Sequence, residues 1–193
     1  TTASTVVAAG FSPEQVAATT LVKKGHNVFI TGGAGTGKSF WLRNLIDHVL
    51  PKHTEGVAIT ASTGIAARAI GGQTVHAFAG IGRGDAPFEQ LLQRIRNRPE
   101  VVRTWTACRV WIMDEVGMLS AELMTTLDRI ARAIKKRPND PFGGIQVVAV
   151  GDFYQLPPVV VDGTKEIFAF ESPSWGACGF RHVEFSVQFR HAQ

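Results

Sequence analysis

"NVFITGGAGTGKSFWLRNLIDHVL", residues 27–50, decides how this chain folds. A short apolar run around Val28 and Ile30 enters a glycine-rich turn. Beyond the turn, Trp41, Leu42, Leu45, Ile46 and Val49 recur at helical spacing. Residues 32–39 satisfy G-x-x-x-x-G-K-[ST] between that strand and that helix, the context such a motif requires. Each residue type has a reason to be there. Glycines let the backbone curl until its N–H groups form a concave nest for an anion. The helix that follows opens with unpaired N–H donors and the positive end of its dipole. Lys38 is expected to reach the β- and γ-phosphates of ATP, and the Ser39 hydroxyl to ligate Mg²⁺. Gly33, Ala34, Gly35, Thr36, Gly37 and Phe40 complete the expected nucleotide contacts.

Outward from this unit, strands and helices alternate. "GVAIT" (56–60), "RVWIM" (109–113), "IQVVAV" (145–150) and "RHVEF" (181–185) read as further strands. "FSPEQVAATTLVKKG" (11–25) reads as a helix, with Ser12 as N-cap, Pro13 at the first helical position and Gly25 at its end. "STGIAARAIGG" (62–72) reads as a short helix closed by glycines. After the third strand, Leu119, Leu123, Leu127, Ile130 and Ile134 share one helical face, with Arg129, Arg132 and Lys136 on another. The alternation predicts an α/β fold of the P-loop type, a five-stranded, mostly parallel sheet with helices on both faces. Residues 80–108 break the rhythm. Phe88, Leu91, Leu92 and Ile95 share a face, and Arg94, Arg96, Arg98 and Arg103 crowd the segment, which predicts a small helical insertion standing off the sheet.

The second half of the site is "WIMDEVGML" (111–119). An apolar strand delivers Asp114 and Glu115 to its C-terminal end, the side where an open α/β sheet binds ligands. Asp114 suits Mg²⁺ and Glu115 suits the attacking water. "VVAVGDFYQLPPV" (147–159) ends a buried strand in Gln155 and then stiffens with Pro157 and Pro158. If this strand lies between the phosphate-loop strand and the acidic strand, Gln155 stands beside the γ-phosphate and reports hydrolysis without adding charge. Alternatively it only satisfies a turn.

Composition bounds the rest. The chain has 193 residues, 45% hydrophobic, with 20 Lys and Arg against 16 Asp and Glu, a net charge of +4. That supports a sizeable core and permits a nucleic-acid partner without requiring one. Cys108 and Cys178 lie far apart in no metal-binding pattern, so neither a disulfide framework nor a zinc site is expected. No apolar run reaches membrane-spanning length, and no membrane role is expected. The chain opens Thr-Thr-Ala without a methionine, as a processed or partial segment would.

Taken in order, "GGAGTGKS", "ITASTGIAARAIGGQTVHAFAGIG", "MDEVGML", "FGGIQVVAVGDFYQLPPV", "FAFESPSW" and "VQFRHAQ" resemble the petite-integration-frequency (PIF) family of superfamily 1 DNA helicases, relatives of the RecD type. The resemblance runs nearly end to end. It implies a RecA-like fold, ATP-driven 5′-to-3′ unwinding, and action on single-stranded, forked or G-quadruplex DNA in repair, recombination and telomere maintenance. It further implies a monomer working in nucleus or mitochondrion, or in a bacterial cytoplasm. On the resemblance, residues 1–193 are the first of two RecA-like domains, the second being absent, and residues 80–108 are a wedge subdomain. Gln15 would read adenine, although Ser12 and Gln15 are also spaced as a capping box. Thr60, Ser62 and Thr63 would contact DNA phosphates, with His76 and Phe78 stacking on bases; equally, Phe78 reads as core and His76 as a satisfied loop residue. Arg190 would reach the γ-phosphate and join Lys38, Asp114, Glu115 and Gln155 in catalysis. Gly117 and Ala77 stand where many relatives carry serine, and His191 where glutamine is usual. Two rivals remain: a switch ATPase of the AAA+ kind acting on protein partners, and a DNA-binding module with a relic nucleotide site.

Overall fold

The computed structural model describes residues 10–50, 56–155 and 167–189. Six strands form one sheet: β1 (Val28–Thr31), β2 (Val57–Ala61), β3 (Gln73–Thr74), β4 (Val110–Asp114), β5 (Gln146–Val150) and β6 (Arg181–Glu184). Their order is β3-β2-β4-β5-β1-β6, and every described pairing is parallel. The helices are α1 (Pro13–Lys23), α2 (Lys38–Asn44), α3 (Gly64–Ala69), α4 (Val75–Ala79), α5 (Phe88–Arg96), α6 (Pro99–Ala107), α7 (Ala121–Lys135) and α8 (Pro173–Cys178). No described helix is long and apolar enough to cross a membrane.

Alternation along the central strands sends successive side chains to opposite faces. Val28, Ile30, Ile112, Val148 and Val150 pack on one side with Ala18 and Val22 of α1 and Trp41 and Leu42 of α2. Phe29, Trp111, Met113, Val147 and Ala149 pack on the other with α4, α6 and α7. Near-continuous apolar runs in β4 and β5 are what a sheet covered on both faces demands.

The structure changes the expected picture in two places. A sixth strand, β3, joins the edge beyond β2, pairing Thr60 with Gln73 and Ala61 with Thr74. Two residues are too short to show a period, and the contact rests on Gly72 lying against the Ile59 backbone, where a side chain would collide. The insertion does not stand off the sheet. Leu91 and Ile95 of α5 and Val101 and Trp105 of α6 belong to the main core, and Trp105 meets Trp111 of β4 edge-on at 5.1 Å. Arg94, Arg96, Arg98 and Arg103 remain on its exposed face. Among them Arg98 pairs with Glu100 at 3.0 Å.

On α7, Leu119 precedes the helix and Ser120 caps it, its hydroxyl accepting from the Leu123 N–H. Asp128, buried in the middle, accepts from Arg132 Nε at 2.8 Å, the Phe142 N–H at 2.6 Å and Ser174 Oγ at 2.8 Å. Three donors make that buried charge tolerable. It ties α7 to the turn before β5 and to α8. Arg129 lies over the Phe88 ring at 3.7 Å, joining α7 to the insertion.

Candidate functional site: a phosphate loop and two strand tips

Because β5 lies between β4 and β1, the C-terminal ends of three adjacent strands line up on one edge of the sheet. They deliver the phosphate loop from β1, the acidic pair from β4 and the Gln155 turn from β5. The Gly151 N–H donates to Ile30 O at 3.0 Å, so the β5 tip stays paired to β1 up to the point where the loop leaves.

The phosphate loop owes its shape to glycine. Gly32, at φ 142°, sits against the Phe185 carbonyl, and a Cβ there would also stand 2.9 Å from Thr36 Oγ1. Gly37, at φ 83°, caps α2 in a left-handed conformation. Gly33 and Ala34 are exposed at the loop tip, Gly35 is half-buried, and Thr36 is buried, its Oγ1 donating to Gly33 O at 2.9 Å. Lys38 is half-buried and its ammonium donates to the Gly32 and Gly33 carbonyls. Ser39 and Phe40 are exposed at the start of α2, and the Phe40 ring stacks on Phe11 at 5.3 Å.

At the β4 tip, Asp114 is 8% exposed. Burial pushes its carboxyl up to about 6, and the Glu115 charge adds to the rise; the Glu115 N–H, donating to Oδ1 at 2.9 Å, and the Lys38 charge oppose it. A buried carboxylate that receives only one backbone donor has lone pairs left for a cation. With the Ser39 hydroxyl, the donor set is of the all-oxygen, few-ligand kind that Mg²⁺ takes beside phosphates. Glu115 follows at φ 54°, a left-handed position that is unusual for this residue type.

The β5 tip is an Asp152-centred turn. Asp152 Oδ1 accepts from the Tyr154 N–H at 3.0 Å, and Oδ2 accepts from Gln155 Nε2 at 2.9 Å. Gln155 is exposed at the expected edge, with its amide satisfying this turn. Asp152 was not among the residues expected from sequence; its signal was an aspartate two residues ahead of an exposed N–H, the pattern of an Asx-turn. Phe153 roots the turn, with ring contacts to Phe29 at 5.4 Å, Phe170 at 4.8 Å and Trp175 at 5.7 Å. The tip also touches the β4 tip directly. A Cβ on Gly117 would stand 2.7 Å from the Asp152 carbonyl, and one on Gly151 would stand 2.9 Å from the Val116 nitrogen.

Gln15 is both a cap and a contact of the loop. Its Oε1 accepts from the Ser12 N–H at 3.1 Å and its N–H donates to Ser12 Oγ at 3.3 Å, the full capping box. Its Nε2 faces the Thr36 carbonyl at 3.5 Å.

Of the residues expected to meet DNA, two are core. Thr60 is 0% exposed; its hydroxyl donates to Ile112 O at 2.6 Å and accepts from Trp111 Nε1 at 2.9 Å. It holds β2 to β4 and has no path to a phosphate. Phe78 is 4% exposed and packs on Trp111 at 4.7 Å and Trp105 at 5.3 Å. Thr63 caps α3, accepting from the Ala66 N–H at 3.2 Å. Ser62 is half-buried, and its Oγ has no partner among the described residues, while its N–H donates to Asp114 O at 3.1 Å. His76 is half-buried, and burial lowers its pKa, so it is neutral near pH 7. Arg190, Pro157, Pro158 and His191 lie outside the described residues.

Three comparisons bear on this arrangement. A family model described as "PIF1-like helicase" matches residues 12–193. The chain is 51% identical over 149 residues to ATP-dependent DNA helicase PIF6 of Trypanosoma brucei brucei, covering 77% of this chain and 19% of that protein. The crystal structure of Pif1 helicase from Candida albicans superposes with a TM-score of 0.87 at 45% identity, covering 93% of this chain and 40% of that one. Pif1 helicase from Bacteroides, in complex with ADP-AlF3 and ssDNA, superposes with a TM-score of 0.80 at 31% identity, covering 94% and 43%. The chain spans about a fifth to just over a quarter of the length of the curated relatives it matches.

Proposed function

This chain belongs to the PIF1-like helicase family, and from that premise we propose that it is the first ATP-binding domain of a DNA helicase that couples ATP hydrolysis to 5′-to-3′ movement along single-stranded DNA. One observation carries the reading: a phosphate loop, an acidic pair and an amide-bearing turn share one sheet edge, in the strand order β4-β5-β1.

The chemistry follows from the side chains. Lys38 leaves its loop carbonyls to neutralise the β- and γ-phosphates. Ser39 and Asp114 would hold Mg²⁺, which would supply charge screening at the phosphates. Glu115 orients the attacking water and takes its proton. Gln155 exchanges its bond to Asp152 for one to the γ-phosphate or the water, so hydrolysis is felt at the β5 tip. Ser62, Thr63 and His76 are the remaining candidates for DNA contact near the β2 end of the sheet, and the exposed arginines of α5 and α6 track a nucleic-acid backbone. In the whole enzyme a second RecA-like domain would close the cleft, and Arg190, which lies outside the described residues, would reach the γ-phosphate. Forked and G-quadruplex DNA are the proposed substrates, and the enzyme acts as a monomer.

The test is the ATPase rate of the full-length protein with and without single-stranded DNA. Strong stimulation supports the helicase. A rate indifferent to DNA but raised by a protein partner would favour the AAA+-type switch instead.

A further inference from the structure

We propose that the sheet edge opposite the phosphate loop is a docking surface for an acidic partner segment that carries one bulky apolar residue. The site is a cavity of about 550 Å³ between α6 and the start of β2. β2 and β4 begin there and end at the nucleotide edge, so the length of a strand separates the cavity from Asp114. The inference does not depend on the helicase reading. Ala58, Phe78, Ala107 and Cys108 give the cavity an apolar lining. Burial pushes the Cys108 thiol up to about 12, so it stays neutral. The polar groups beside them are already spent. Thr104 and Thr106 turn their hydroxyls to the Glu100 and Val102 carbonyls of their own helix, at 3.0 and 2.8 Å. Lys135 Nζ donates to the Thr106 and Cys108 carbonyls at 3.0 and 2.7 Å. A cavity whose hydrogen bonds are closed internally rewards an apolar occupant and penalises a polar one.

The rim is cationic. Of the insertion's four arginines only Arg103 lines the cavity. Arg109 lies beside it, with its Cγ 3.3 Å from where a Cβ on Gly56 would stand. Both arginines are exposed, and neither has an ion-pair partner among the described residues. Burial lowers the Lys135 pKa, and the charges of Arg137 and Arg109 lower it further. The nearby carboxylates are already engaged, Glu100 by Arg98 at 3.0 Å and Asp140 by Arg137 at 2.6 Å. Acidic residues on a partner would relieve the repulsion among these cations. An apolar residue between them would fill the cavity, as a buried anchor within a charged rim. A nucleic-acid backbone would meet the rim as well, but it gives no reason for the apolar cavity.

Fluorescence anisotropy with the full-length protein tests this, using two labelled peptides of equal charge, EEDWGDEE and EEDGGDEE. The peptide with the tryptophan anchor should bind at least about tenfold more tightly. Ala107→Trp plugs the cavity without changing charge, and should weaken the anchored peptide by about tenfold while leaving the other unchanged. Arg109→Glu should weaken both peptides by about threefold to tenfold. Lys24→Glu makes the same change of charge at the end of α1, on the other face of the sheet, and should stay within about twofold. Tm and ATPase rate check that each variant folds; if Ala107→Trp does not, Thr104→Trp serves as the plug. The proposal is overturned if wild type binds neither peptide or both alike, if a folded plug leaves the anchored peptide's affinity intact, or if Lys24→Glu loses as much as Arg109→Glu. Displacement of the anchored peptide by duplex DNA whose own affinity falls with the plug would assign the surface to nucleic acid, and would overturn it too.

Discussion

The phosphate loop and the β5 tip stand on neighbouring strands, yet they are held in opposite ways. The loop is gripped from outside: Gln15 comes from α1, Phe189 from the segment after β6, and Trp41 binds α1 from α2. At the β5 tip the side-chain hydrogen bonds are internal, with Asp152 serving Tyr154 and Gln155 within one turn and Tyr154 99% exposed above it, while Phe153 alone roots the turn in the core. A rigid cradle suits an anion that must be met by donors already in place. A self-closed turn would suit a sensor, because the exposed bond from Gln155 to Asp152 is the one a ligand would exchange.

Substitutions can break that contrast. Lys38→Ala should cost the largest effect, about 100-fold or more in ATPase rate, by removing a preplaced charge from the site. Glu115→Gln should lower turnover as severely but leave Mg·ATP affinity within about threefold, checked by titration against single-turnover kinetics. Asp114→Asn should likewise stop turnover, yet stabilise the nucleotide-free protein at pH 7 by about 1–3 kcal/mol. The sign follows from a folded pKa of about 6, above the usual carboxylate value. The folded state holds its proton more tightly than the unfolded one, so wild type loses stability as pH rises from about 4 through 6. The gap between wild type and Asp114→Asn should therefore close below that window, which thermal melts at pH 4 and 7 would show.

Smaller effects sharpen the comparison at the other tip. Gln155→Ala should reduce DNA-stimulated turnover by about tenfold, one hydrogen bond's worth, with ATP affinity nearly unchanged. Equal loss with and without DNA would mean that the turn does not report hydrolysis. Gly117→Ala should be the mildest, about 1 kcal/mol of overpacking against the Asp152 carbonyl. Its effect should fall on DNA stimulation before it falls on nucleotide binding, since the strain enters at the β5 tip.

Much of this was legible in the sequence because it is local. Residues 32–39 carry their own strand, turn and helix, and Asp114 and Glu115 follow an apolar strand directly. The helix cap at Ser12 and the fourth strand between the other two also agree with the structure. What escaped depends on partners far away in the chain. Thr60 looks like a polar strand end until Trp111 and Ile112 are seen beside it, about fifty positions on. The apolar face of α5 is plain from its spacing, but spacing does not say which surface it meets, so the insertion was expected to stand free. Gln15 left two readings open because a capping box and a base reader share one residue type; the capping box is formed in the structure, and its carboxamide also lies beside the Thr36 carbonyl.

Trp111 has one more consequence. It lies three positions before Asp114 on β4, perpendicular to Trp105 of α6, with Phe78 and Phe142 around it. The strand that leads to the acidic pair is therefore seated, near its start, in a pair of indoles shared with the insertion. Any tilt of that insertion against the sheet changes the geometry of two coupled chromophores. Near-ultraviolet circular dichroism then gives an optical handle on motion there, without a dye or an added label.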